Sequence, residues 1–174
     1  MRISVLGFSC SGKTTFSNEL GTILNLPVYH LDNYYWSSAW VKNPSCDITS
    51  IVNQDNWIID GIYTDCCFEE RLEASDYIFY LDCNLLVRLW RMIRRHIVYL
   101  IAPTGKNPIS QKVSISFILS TIKKVRYLQP EILKHLRDLY PKKLLYIKGK
   151  LCATFFLERI NNDGFFELFD TDKM

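Results

Sequence analysis

Apolar and polar positions fall in blocks that switch between a two-residue and a helical period. Residues 2–6 (RISVL) form a β-rich run closed by a glycine turn, and residues 13–25 follow with Phe16, Leu20, Ile23 and Leu24 at helical spacing. Leu26-Pro27 stops that helix, residues 28–30 (VYH) give a brief second strand, and a polar and aromatic loop runs on to Pro44. Residues 45–55 suit a short helix opened by Ser45 as N-cap. Residues 57–61 (WIIDG) and 77–82 (YIFYLD) are nearly continuous apolar runs, the pattern of strands buried on both faces. Between them, residues 65–74 have room for one helix.

Residues 84–101 read as a long basic helix with Leu85, Leu89, Met92 and Ile93 on one side. Residues 103–108 (PTGKNP) are the clearest loop. A second long helix over 110–139 should kink or break near Pro130, which lacks the backbone donor a helix interior needs. Residues 143–148 (KLLYIK) make a fifth strand, residues 151–160 a last helix, and the tail after Asn161 looks loosely organised. Strands alternating with helices predict a three-layer α/β fold, a five-stranded parallel sheet flanked by helices. At 174 residues and 48% hydrophobic, one domain spanning 1–174 accounts for the whole pattern.

Charge is unevenly spread. Residues 1–85 carry 4 basic and 11 acidic side chains, residues 86–150 carry 15 and 2, and residues 151–174 carry 2 and 5. The middle block therefore faces something anionic, polyphosphate or nucleic acid. The opening MRISVLGFS has neither a basic leader nor a sustained apolar core, and the apolar run at 113–122 is far below the roughly 18 residues of a membrane span. A cytoplasmic protein with no membrane partner is expected. The cysteines at 10, 46, 66, 67, 83 and 152 show neither zinc-ligand spacing nor a disulfide framework, so they are expected to be reduced, ordinary small residues.

Chemistry first appears at Gly7–Thr14, which satisfies G-x-x-x-x-G-K-[ST] between a strand and a helix. In that geometry backbone N–H groups and a helix N-terminus surround a phosphate. Lys13 reaches the β- and γ-phosphates and Thr14 ligates Mg2+. Gly7, Ser9, Cys10, Ser11, Gly12, Lys13, Thr14 and Thr15 are thus the candidate ATP-binding residues. Cys10 is either loop filler or a redox-sensitive thiol near a helix N-terminus.

Four motifs in order, GFSCSGKTT, VYHLDNYYWSSAW, NWIIDGIY and YIFYLDCNLLVRLWRMIRRH, resemble those of the P-loop nucleoside monophosphate kinases. Within that group the chain looks most like the small bacterial adenylate-kinase-like proteins called topology-modulation proteins. The resemblance covers residues 1–100; beyond them it rests on element order. It implies a P-loop NTPase core with a mobile basic lid over roughly 88–126, and phosphoryl transfer from ATP. By the same resemblance Asp60 organises Mg2+ and its water shell, although Asp-Gly after a strand is also a common turn. Arg91 and Arg95 match the lid arginines, the first packing on adenine and the second reaching the transferring phosphate. On a helix this i, i+4 pair shares one face, and Arg88 and Arg94 fall on neighbouring strips. A solvated basic face is the plainer reading.

The turn Asp60-Gly61-Ile62-Tyr63-Thr64 departs from Asp-Gly-Phe-Pro-Arg, whose arginine clamps the acceptor monophosphate in adenylate kinases. Thr64 stands in the clamp's place, and Arg71 is a substitute from another direction. The acceptor then need not be AMP. Shikimate-type kinases place an aspartate after the second strand to hold the acceptor hydroxyl, which makes Asp32 the candidate acceptor-positioning residue or base. His30 lies on the same strand face by period two, and Trp36 and Trp40, one turn apart if the segment is helical, form a wall. His30, Asp32, Trp36, Trp40, Gly61 and Arg71 make up the acceptor site expected, against a reading in which these aromatics merely pack. The functions open at this point are ATP-dependent phosphoryl transfer to a nucleotide or small hydroxylated metabolite, a nucleic-acid-binding P-loop ATPase, and nucleotide binding without turnover.

Overall fold

The computed structural model describes residues 1–37, 41–44, 46–101 and 114–165. Five strands, β1 (Arg2–Leu6), β2 (Val28–His30), β3 (Trp57–Asp60), β4 (Tyr77–Asp82) and β5 (Leu144–Lys148), form one parallel sheet in the order β2-β3-β1-β4-β5. The helices are α1 (Lys13–Leu24), α2 (Asp32–Tyr35), α3 (Thr49–Val52), α4 (Phe68–Ala74), α5 (Leu85–Ile101), α6 (Ile115–Lys123), α7 (Gln129–Leu139) and α8 (Lys150–Asp163).

Both faces of the sheet are covered, and the inner strands are mostly apolar, with Ser4 of β1 buried among them. Ile3, Val5, Phe79 and Leu81 pack on Phe16 and Leu20 of α1 and on Leu157 and Ile160 of α8. Leu6, Ile78 and Tyr80 face Phe68 and Leu72 of α4 and Ile132 and Leu136 of α7. Burying each large aliphatic side chain is worth about 1.5–3 kcal/mol. A third cluster, Leu31, Tyr35, Ile51, Trp57 and Ile59, closes the β2 edge. α8 runs on to Asp163 and Phe165 seats in the first cluster, so residues 162–165 belong to the fold rather than to a loosely organised tail.

Several expectations need correction. The helix expected at 45–55 is only Thr49–Val52; Ser45 lies outside the described residues, and Asp47 Oδ1 accepts the Thr49 N–H at 2.8 Å. By contrast, the break expected near Pro130 in the helix over 110–139 is present, between α6 and α7. Residues Lys124–Leu128 form a π-helical turn, which absorbs the missing proline donor and the clash of its ring with the preceding turn. Ile93, expected on the inner side of α5 with Met92, is 51% exposed whereas Met92 is buried. The cysteines are not all independent either: Cys46 and Cys66 form a disulfide joining the loop after α2 to the approach of α4, a pairing that sequence spacing does not announce.

Candidate active site

The strand order reverses beside β1, with β3 on one side and β4 on the other, and the loops leaving the carboxyl ends diverge there into a crevice. Residues 7–12 fill it. Gly7 has φ +146°, and a Cβ there would stand 2.5 Å from the Leu81 carbonyl oxygen and 2.7 Å from Ser11 Oγ, so only glycine fits. Cys10 and Gly12 also adopt positive φ, and Ser11 N–H donates to Phe8 O at 3.1 Å. The loop thereby turns into the first turn of α1, whose N-terminal N–H groups have no side-chain cap.

Three observations fit this cradle to a nucleotide's phosphates and Mg2+. Ser11 Oγ is buried with no hydrogen-bond partner. The Lys13 ammonium rests on Phe8 O at 3.4 Å; burial lowers its pKa, while Asp32 and Asp60 act to raise it. Thr14 and Thr15 are exposed at the helix start. Lys13 thus sits in the field of two carboxylates, Asp60 at the end of β3 and Asp32 at the start of α2.

Asp60 ends β3, 4% exposed, paired in register with Val5 of β1. Its Oδ2 lies 3.0 Å from His30 Nδ1, an ion-pair contact off the line of a hydrogen bond. That contact raises the His30 pKa, against burial. The period-two argument linking His30 to Asp32 fails, because β2 stops at His30 and Asp32 already belongs to α2. His30 serves Asp60 instead.

Asp32 is exposed, and its Oδ1 accepts the Tyr63 hydroxyl at 2.6 Å. Tyr63 in turn accepts from Trp36 Nε1 at 2.8 Å and stacks on Tyr35 with centroids 3.8 Å apart. Burial and the Asp32 carboxylate push the Tyr63 phenol well above its ordinary pKa, so it stays a donor. The expected tryptophan wall takes another form. α2 ends at Tyr35 and Trp36 is extended, bridging antiparallel to Lys42, while Trp40 lies outside the described residues. The aromatic wall is therefore Tyr35, Trp36 and Tyr63, fixed below by Asp65, which accepts from both Tyr35 and Lys42. Sequence reasoning missed Tyr63, although it lies in the quoted NWIIDGIY motif.

Gly61 has φ +137°, with room for no Cβ against Leu31, 2.7 Å away. Behind it Arg71 is completely buried: Nη2 donates to Gly61 O at 3.1 Å, while Nε and Nη1 have no partner. Burial lowers its pKa to about 10, opposed by Asp60. Arg71 therefore approaches the Asp60-Gly61 turn from behind, whereas Thr64 is exposed.

Arg91 Nη1 donates to Cys10 O at 2.9 Å and so grips the outer side of the phosphate loop; Arg95, one turn on, is exposed. Arg88 is the second residue that sequence reasoning missed. Fully buried, it donates to Cys83 O at 3.0 Å, Ser9 O at 3.4 Å, Asp82 Oδ1 at 2.7 Å and Gln129 Oε1 at 3.5 Å. Asp82 also accepts the Tyr146 hydroxyl at 2.6 Å. Burial pushes the Asp82 carboxyl up, but the Tyr146 and Arg88 bonds outweigh it and hold the pKa below the usual value.

No family model and no curated protein matches the sequence, so the likeness to topology-modulation proteins rests on the motifs alone. Solved structures do match over nearly the whole chain. A shikimate kinase from Acinetobacter baumannii in complex with shikimate has TM-score 0.59 at 15% identity, covering 91% of this chain and 89% of that one. A putative kinase from Chloroflexus aurantiacus has TM-score 0.56 at 14% identity, covering 92% and 97%. A gluconokinase from Sinorhizobium meliloti has 0.54 at 14%, covering 95% and 96%. The fold is that of the P-loop kinases. At these identities the likeness concerns architecture, and the chemistry is argued from the residues.

Proposed function

We propose that this chain transfers the γ-phosphoryl group of ATP to a hydroxyl of a small metabolite. The observation that carries the reading is the glycine cradle running into α1, with the buried, unpartnered Ser11 Oγ and the Lys13 ammonium on Phe8 O at its mouth, where Asp32 and Asp60 add negative charge. The loop N–H groups, Ser11 and Lys13 hold the phosphates, and Thr14 and Asp60 are the residues suited to Mg2+. Held there, Mg2+ would supply positive charge to offset that developing on the transferring phosphoryl group. Asp32, its Oδ1 engaged by Tyr63, orients the acceptor hydroxyl and takes its proton at Oδ2. Arg91 and Arg95 supply positive charge from the lid side. The Tyr35, Trp36 and Tyr63 rings wall the acceptor.

Arg71 bears on the acceptor's nature. Two guanidinium nitrogens, Nε with one N–H and Nη1 with two, left unpaired in a buried site are costly and favour an anionic partner. Together with Thr64 at the monophosphate clamp position, this favours a hydroxylated acid over AMP, in keeping with the shikimate bound by one of the similar folds. The test is ATP consumption across a panel of hydroxy acids, sugars and nucleotides. Acceptor-dependent turnover abolished by Lys13→Ala is expected; no turnover with any of them contradicts the reading.

A further inference from the structure

The outer face of α5 is apolar, the reverse of what solvent demands. Leu86, Trp90, Ile93, Ile97 and Ile101 are each between 48 and 78% exposed, and their spacing puts them on one side of a helix about 25 Å long. Val87 and Val98, also exposed, broaden the band to about 140° of the circumference, wider than a coiled-coil seam. Ile115 and Leu119 of α6 are likewise exposed. Single exposed apolar residues are ordinary, but a continuous band of this size marks a contact surface.

Charge narrows what covers it. Residues 83–130 contain no Asp or Glu and nine Lys or Arg. Arg91 and Arg95 run along one edge of the band, and Arg94 lies within it, its guanidinium 5.5 Å from the Trp90 ring. A second copy docked on this face would set guanidinium against guanidinium. A partner helix would trap Arg94 in its seam. A lipid surface accommodates both features, because long arginine stems let the charge reach headgroup phosphates while tryptophan and the aliphatics enter the acyl boundary.

We infer that α5, with the exposed end of α6, docks this protein on an anionic lipid surface. The contact lies in the interface and crosses nothing; no described helix is long and apolar enough to span a membrane. The expectation of no membrane partner rested on the opening segment and on spanning length, neither of which an interfacial helix needs.

The test is flotation of the full chain with vesicles of phosphatidylcholine alone or with about three parts in ten phosphatidylserine. Binding to the anionic vesicles should exceed binding to the neutral ones about tenfold and weaken with salt. Ile93→Ser with Ile97→Ser should lower it about tenfold, and Arg94→Gln severalfold, with the thermal midpoint unchanged because these side chains are exposed. Equal or absent binding to both vesicles overturns the inference. So does anionic binding that the isoleucine variants leave intact. A dimer in sedimentation equilibrium that the same variants dissolve, without vesicle binding, assigns the face to a second copy. None of these readouts depends on turnover.

Discussion

Replacing Arg88 by methionine isolates how much of the structure hangs on one buried guanidinium. Methionine keeps much of the packing volume but removes donors from Cys83 O, Ser9 O, Asp82 and Gln129 at once. Asp82, its side chain 13% exposed, is left with the neutral donors Tyr146 and Gln129 and no cation beside it. Breaking a buried pair by deleting one partner costs about 3–5 kcal/mol, because a charge is stranded. For a chain of this length that lowers the thermal midpoint by about 6–20 °C. Arg88→Lys should cost nearly as much, since an ammonium cannot span acceptors set in a guanidinium's fork. Arg88→Met combined with Asp82→Leu should cost less than Arg88→Met alone, as nothing charged remains unpaired. Urea unfolding of the three variants measures this. A cost for Arg88→Met under about 1 kcal/mol would refute the claim that this side chain joins β4, the phosphate loop and α7.

Three further outcomes follow. Because the Asp82 carboxyl is held below its unfolded value, its contribution is complete above about pH 4 and is lost as pH falls through the folded pKa; the acid limb of the stability profile should flatten in Arg88→Met. Gly61→Ala puts a Cβ against Leu31 at positive φ and should cost about 1–3 kcal/mol in urea unfolding; a neutral result would mean that the turn relaxes freely. Tyr63→Phe removes a donor to a carboxylate and should lower turnover about 10- to 100-fold with ATP affinity retained; unchanged turnover would make the Tyr63 bond incidental.

The phosphate loop and the sheet were legible because both are local patterns: a fixed spacing of glycines and Lys-Thr, and apolar runs punctuated by turns. Asp60 was legible as the carboxylate that ends a strand, and Asp32 as one that follows a strand. What sequence could not supply was contact across distance. Tyr63 meets Asp32 across 31 positions and Arg88 meets Ser9 across 79, and neither pairing has a periodic signature. The Cys46–Cys66 bond has the same origin. Helix α5 shows a different limit. It carries two apolar stripes, one through Leu85, Leu89 and Met92 and one through Leu86, Trp90 and Ile93, and periodicity does not say which one the core takes. The core took the first, leaving the second in solvent.

The central claim is that Asp32 handles the acceptor and leaves ATP to the loop. The direct measurement is Asp32→Asn, assayed for ATP binding by calorimetry and for turnover with the acceptor the panel identifies. The account predicts ATP affinity within about twofold of the unmodified protein and turnover lower by about 10²–10⁴. Turnover that survives, or ATP binding that fails along with it, would contradict it.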